Sequence, residues 1–141
     1  MNMVEQTNNF CINYLNCVKK AASILWITQS QAICIQSIPF DGISQTDLAK
    51  KLALDLSTLS RNLDKLIKIN LVDKSPSQFD KRSFKITLTN RGKTLYRNLN
   101  SQIYDCFQEI YNKLEVSEVD FMIDILNKIN WEFDLLENEK S

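Results

Sequence analysis

The chain has 141 residues, 44% of them apolar and 24% charged, with 17 cations, 17 anions and no histidine. That is the size and make-up of one soluble globular domain with a real core. Lacking histidine, it has neither the commonest general base nor the commonest zinc ligand, which excludes serine–histidine and cysteine–histidine catalysis.

The start, Met1-Asn2-Met3-Val4-Glu5-Gln6, has no cationic stretch leading into an apolar run, and no apolar run is long enough to cross a bilayer. A cytoplasmic protein with no membrane partner is expected. Two glycines and two prolines predict a mostly helical chain.

Apolar residues at helical spacing (Phe10, Tyr14, Val18, Ala21, Leu25, widened by Cys11, Leu15, Ala22 and Trp26) predict a first helix over residues 5–27 that needs more than one partner. Thr28 can cap a second helix over 29–37, and Pro39 with Asp41-Gly42 predicts a turn. Ser44-Gln45-Thr46-Asp47 reads as a capping box opening a short helix with Leu48, Ala49 and Leu52 inward. Asp55 can cap the next helix, which runs to about residue 70. Steps of 100° put Leu56, Leu59, Leu63, Leu66 and Ile67 in one arc of it, and Ser57, Thr58, Arg61, Lys65 and Lys68 in the opposite arc.

The period then changes. Residues 71–74 and 84–88 alternate like two strands around a polar tip over 75–83. Thr89 caps a long helix to about residue 114, with Gly92 in its first turn, and Ser117-Glu118-Val119-Asp120 reads as the box opening a final helix with Val119, Met122, Leu126, Ile129, Phe133 and Leu136 on one stripe.

The fold class is therefore mainly α, an α+β winged helix built of a helix-turn-helix and a two-stranded hairpin. Its net charge of zero is unevenly spread: residues 44–97 hold twelve cations and five anions, a net +7, balanced by −7 elsewhere. A basic centre between acidic ends fits one lobe meeting phosphate.

The tight turn Ala53-Leu54-Asp55 between two short amphipathic helices is what a helix-turn-helix requires. Such a unit lays the start of its second helix in the major groove. Here that stretch carries Ser57, Thr58, Ser60, Arg61 and Asn62, with Lys65 a turn further on. Arg61 can fork onto guanine and Asn62 onto adenine. Ser44, Gln45 and Thr46, at the start of the preceding helix, are candidates for the phosphate backbone. On the hairpin, Lys81 and Arg82 can enter the minor groove, with Asp80 holding an arginine in place. Polar residues opposite an apolar arc also describe an ordinary solvated helix, and Asp80-Lys81 an ordinary exposed turn. A protein-docking module is the rival reading, and no catalytic constellation, metal cluster or cofactor loop is visible.

Residues 44–52, 55–66 and above all Asp80-Lys81-Arg82 running into Leu88-Thr89-Asn90-Arg91-Gly92 resemble the MarR family of winged helix-turn-helix transcription regulators, with its D-x-R wing and following LT-x-x-G. The resemblance is close over residues 28–97. It implies a single domain over 1–141, with a DNA-binding lobe at 28–97 and helices at 1–27 and 98–141 forming a dimerisation region. It further implies a homodimer on an inverted-repeat operator, acting most often as a repressor, and a small-molecule effector whose identity the residues do not disclose. The helix from Leu56 becomes the recognition helix and Arg82 the minor-groove reader. Some relatives sense oxidants through a cysteine near the start of the first helix, where Cys11 stands. By their apolar patterns, the four cysteines otherwise read as small core residues, and Trp26 and Trp131 as core and interface packing.

Overall fold

The helices start where short polar side chains can accept from their free amides. In a computed structural model, which describes residues 2–79 and 82–140, α1 (Met3–Ile24) is capped by Asn2 in a box with Glu5, and α2 (Gln29–Gln36) by Thr28 in a box with Gln31. α3 (Gln45–Leu52) is capped by Ser44, whose hydroxyl accepts from the Asp47 amide at 3.0 Å. α4 (Leu56–Lys68) is capped by Asp55. α5 spans Asn90–Tyr111 and α6 Val116–Lys140. The cap of α6 lies two residues before the expected one: Glu115 donates its amide to Glu118 Oε1 at 2.9 Å, so Glu115 rather than Ser117 opens the helix.

Three helices end alike, on a residue with positive φ that is not glycine: Trp26 (63°), Ala53 (53°) and Asn70 (60°). In each case that residue's own amide and the next one turn back onto the last turn, as Leu54 donates to the Ala49 carbonyl at 2.9 Å and Leu71 to the Leu66 carbonyl at 3.0 Å. Asparagine tolerates this conformation, whereas a Cβ makes it unfavourable for alanine and tryptophan. Ala53→Gly should accordingly raise stability by about 0.5–1 kcal/mol. A lowered urea midpoint would show that Ala53 is not strained.

Two strands were expected and the sheet has three, in the order β1-β3-β2, all antiparallel. The extra strand, β1 (Ile43–Ser44), pairs its two residues with Ile86 and Lys85 of β3 (Phe84–Leu88). β2 (Val72–Pro76) runs two residues further than its alternation predicted, pairing Ser75 with Lys85 and Pro76 with Phe84. Proline is tolerated there because β2 is an edge strand. Gly42, at φ 93°, closes the turn into β1 by donating to the Pro39 carbonyl at 2.9 Å.

The chain divides into two compact units, residues 1–104 and 105–141. In the first, α1 packs on α2, α3 on α4 and the sheet, and α4 on β2. The core holds Val18, Ile35, Ile38, Leu48, Leu59, Leu63, Leu66, Val72, Ile86 and Leu99.

The second unit contains α6, which has no buried residue among those described. Of the apolar residues at 3–4 spacing along it, Val119 and Met122 are half-buried while Leu126, Ile129, Phe133 and Leu136 are exposed, as is Trp131. Trp26 is likewise exposed rather than in the core. Helical spacing shows which side chains share a face, not whether this chain alone covers it. Among the described residues no helix is long and apolar enough to cross a membrane.

Candidate nucleic-acid interface

The surface of interest is built on α4. Leu59, Leu63 and Leu66 are fully buried and Ile67 half-buried, while Ser57, Arg61, Lys65 and Lys68 are exposed and Thr58, Ser60 and Asn62 half-buried. Anchoring one face orients the other. Leu56 departs from the expected arc: it lies in the first turn, ahead of the buried leucines, and is 52% exposed. Thr58, Arg61, Asn62, Lys65 and Lys68 line one shallow groove together with Asp64, an anion that reading the sequence had not placed on this face. Within it Arg61 Nη2 donates to Thr58 Oγ1 at 3.5 Å, which aims the guanidinium along the helix.

The start of α4 is held electrostatically. Asp55 accepts from the Thr58 amide and from the Ser57 hydroxyl, both at 2.7 Å. These bonds, the Thr58 amide first, hold its carboxyl down at about 2. Because the folded value lies below the ordinary 3.8, the cap stabilises the fold above that pH, and the contribution disappears as the pH falls toward 2. Asp55→Asn, which keeps an accepting oxygen without a titrating charge, should flatten the acid limb of a stability-against-pH curve followed by circular dichroism. An unaltered acid limb would count against the cap.

The exit of α4 is pinned just as firmly. Asn70 and Leu71 leave the helix in the left-handed turn described above. Thr89 then clasps them: its hydroxyl donates to the Asn70 carbonyl at 2.8 Å and accepts from the Gly92 amide at 2.9 Å, while its own amide donates to the Leu71 carbonyl at 3.1 Å. Gly92 is buried against that carbonyl; a Cβ there would lie 2.1 Å from the Leu71 oxygen. The stretch Leu88-Thr89-x-x-Gly92 is thus a joint that ties the end of α4 to β3 and the start of α5, so the helix and the wing share one frame.

Of the residues at the start of α3, Thr46 is exposed, Ser44 half-buried and Gln45 buried, which leaves the Gln45 side chain the least available to a phosphate. On the wing, Arg82 is exposed. Asp80 and Lys81 fall outside the described residues. Phe79, overlooked in a tip read as polar, is 97% exposed.

The cysteines divide. Cys11 is an exposed free thiol, and burial pushes the Cys34 thiol up to about 11. Cys17 and Cys106 are half-buried and disulfide-bonded, so the reading of all four as small core residues holds for Cys34 and fails for Cys11, Cys17 and Cys106.

Comparison with known proteins agrees with this architecture. The MarR family model matches residues 39–84, from the turn before β1 to the start of β3. The multiple antibiotic resistance protein MarR of Escherichia coli (strain K12) is 31% identical over 88 residues, which span 62% of this chain and 61% of that protein. Its apo crystal structure superposes with a TM-score of 0.78 at 26% identity, covering 92% of this chain and 96% of the other.

Over residues 39–84 the chain is similar to the MarR family.

Its MarR-type fold, a winged helix among flanking helices, follows from the same superposition. A cysteine mutant of the E. coli protein crystallised with operator DNA also superposes, with a TM-score of 0.67 at 27% identity over 90% of each chain. The HTH-type transcriptional regulator TcaR of Staphylococcus aureus (strain Newman) is 25% identical over 116 residues, which span 81% of this chain and 77% of that protein.

Proposed function

We propose that this chain binds operator DNA as a homodimer and regulates transcription, acting as a repressor in the cytoplasm with no catalytic role. The observation that carries this reading is the division of α4 into an anchored apolar face and an exposed face bearing Ser57, Arg61 and Lys65. Arg61 and Asn62 meet base edges in the major groove, with Ser57, Thr58 and Ser60 allowing close approach and Lys65 meeting phosphate. Arg82, with Asp80 and Lys81, serves the minor groove, and Thr46 with Ser44 the phosphate backbone. Leu56, exposed at the first turn, suits a thymine methyl.

Dimerisation is supported by the apolar side chains that the end helices leave in water. Phe121, Trp131 and Phe133 on α6 are each more than 60% exposed, and an apolar helix with no fully buried residue needs a partner. A C2 dimer sets its two recognition helices about 34–36 Å apart and reads an inverted repeat. Selection of duplexes from a random pool, sequenced after several rounds, tests this. An inverted repeat with half-sites one turn apart is the expected outcome. Enrichment of no sequence would favour the rival reading, a docking module for another protein.

A further inference from the structure

The wing tip is polar, Ser75-Pro76-Ser77-Gln78 on one side and Arg82-Ser83 on the other, with one large exception. Phe79 stands there with 97% of its surface in water, the most exposed large apolar residue described. It is also held forward. Strand pairing continues to Pro76 and Phe84, the Ser77 amide donates to the Ser83 carbonyl at 3.0 Å, and the Phe79 amide donates to Ser77 Oγ at 3.2 Å.

Its surroundings are apolar and cationic together. Phe84, 40% exposed, carries Lys74 Nζ at 4.3 Å over its ring, and Phe79 and Phe84 line one concavity with Lys85. Exposed Arg82 lies three residues on. An apolar tip set among cations suits a narrow apolar cleft walled by phosphate. The minor groove is one: a phenyl ring there can enter between base pairs, unstack them and bend the duplex, most easily at a pyrimidine–purine step.

We infer that Phe79 is a minor-groove wedge: its ring enters a base step beneath the wing and kinks the operator there. This rests on the DNA-binding reading above and adds a residue that selects sequence through deformability rather than base-edge hydrogen bonds. The duplex that wild-type protein selects from a random pool is the probe, with 2-aminopurine placed at each step of its flanks in turn and a fluorophore pair at its ends.

Wild-type protein raises 2-aminopurine fluorescence at one step per half-site and shortens the end-to-end distance. Phe79→Ser loses both signals and binds about 10- to 100-fold more weakly, while Phe79→Trp keeps them. Far-UV circular dichroism is unchanged in both variants, because the ring takes no part in the core. Retention of the unstacking signal by Phe79→Ser overturns the wedge, as does weaker binding without change in unstacking or bend, which would mark Phe79 as a surface contact for sugar. If wild-type protein selects no duplex, the DNA-binding reading fails first and takes the wedge with it.

Discussion

Gly92→Ala is expected to lower the stability of the fold by about 3 kcal/mol, although glycine to alanine inside a helix ordinarily raises it by up to about 1 kcal/mol. The reversal comes from what the added methyl meets. A Cβ at Gly92 lies 2.1 Å from the Leu71 oxygen and 3.1 Å from its carbonyl carbon, both backbone atoms. That peptide has no freedom to retreat: Leu71 is tied to the Leu66 carbonyl through its amide and to the Thr89 amide through its oxygen. Relief requires moving the start of α5 away from the end of α4, which breaks the Thr89 clasp. Urea denaturation measures the loss. An unchanged midpoint would show that α5 shifts freely, and that helix and wing do not share one frame.

Arg61→Ala is expected to cost about 1–3 kcal/mol of operator binding and to relax the preference at one base pair per half-site. The guanidinium is exposed on the recognition face, steered by Thr58, and touches nothing in the core, so the variant should fold as wild type. Arg82→Ala makes the contrast: it should weaken binding with less loss of base preference, because the minor groove carries a degenerate code. Titration against duplexes substituted at each position separates the two. Equal loss by Arg61→Ala on operator and scrambled duplex would refute base reading and leave Arg61 a phosphate contact.

How much of this was legible beforehand varied with the physics. Caps were legible because they depend on residues a few positions apart: Thr28, Ser44 and Asp55 all cap where expected. So was α4, whose two faces differ strongly enough that periodicity alone separates them. β1 was not legible, since two residues cannot display an alternation and the strand exists only because Ile86 and Lys85 lie alongside. Nor was Leu56, whose helical angle puts it with the leucines but whose place in the first turn carries it beyond the core. Positive φ at Trp26 and Ala53 runs against the local preference of both residues, so neither announces it in the sequence. The role of Gly92 was suggested only as close packing, and the partner, the Leu71 carbonyl, is twenty-one residues away. The start of α6 was missed because two overlapping boxes compete, and Glu115 with Glu118 prevails over Ser117 with Asp120.

The central claim is that this chain recognises a DNA sequence through the α4 face. Fluorescence anisotropy on the duplex upstream of its own gene, against a scrambled duplex and over a series of salt concentrations, tests it most directly. The account predicts preferential binding to the native duplex, with the logarithm of the affinity falling linearly as the logarithm of salt rises, because each phosphate contact releases condensed counterions. Weak binding, equal on both duplexes and indifferent to salt, would contradict it.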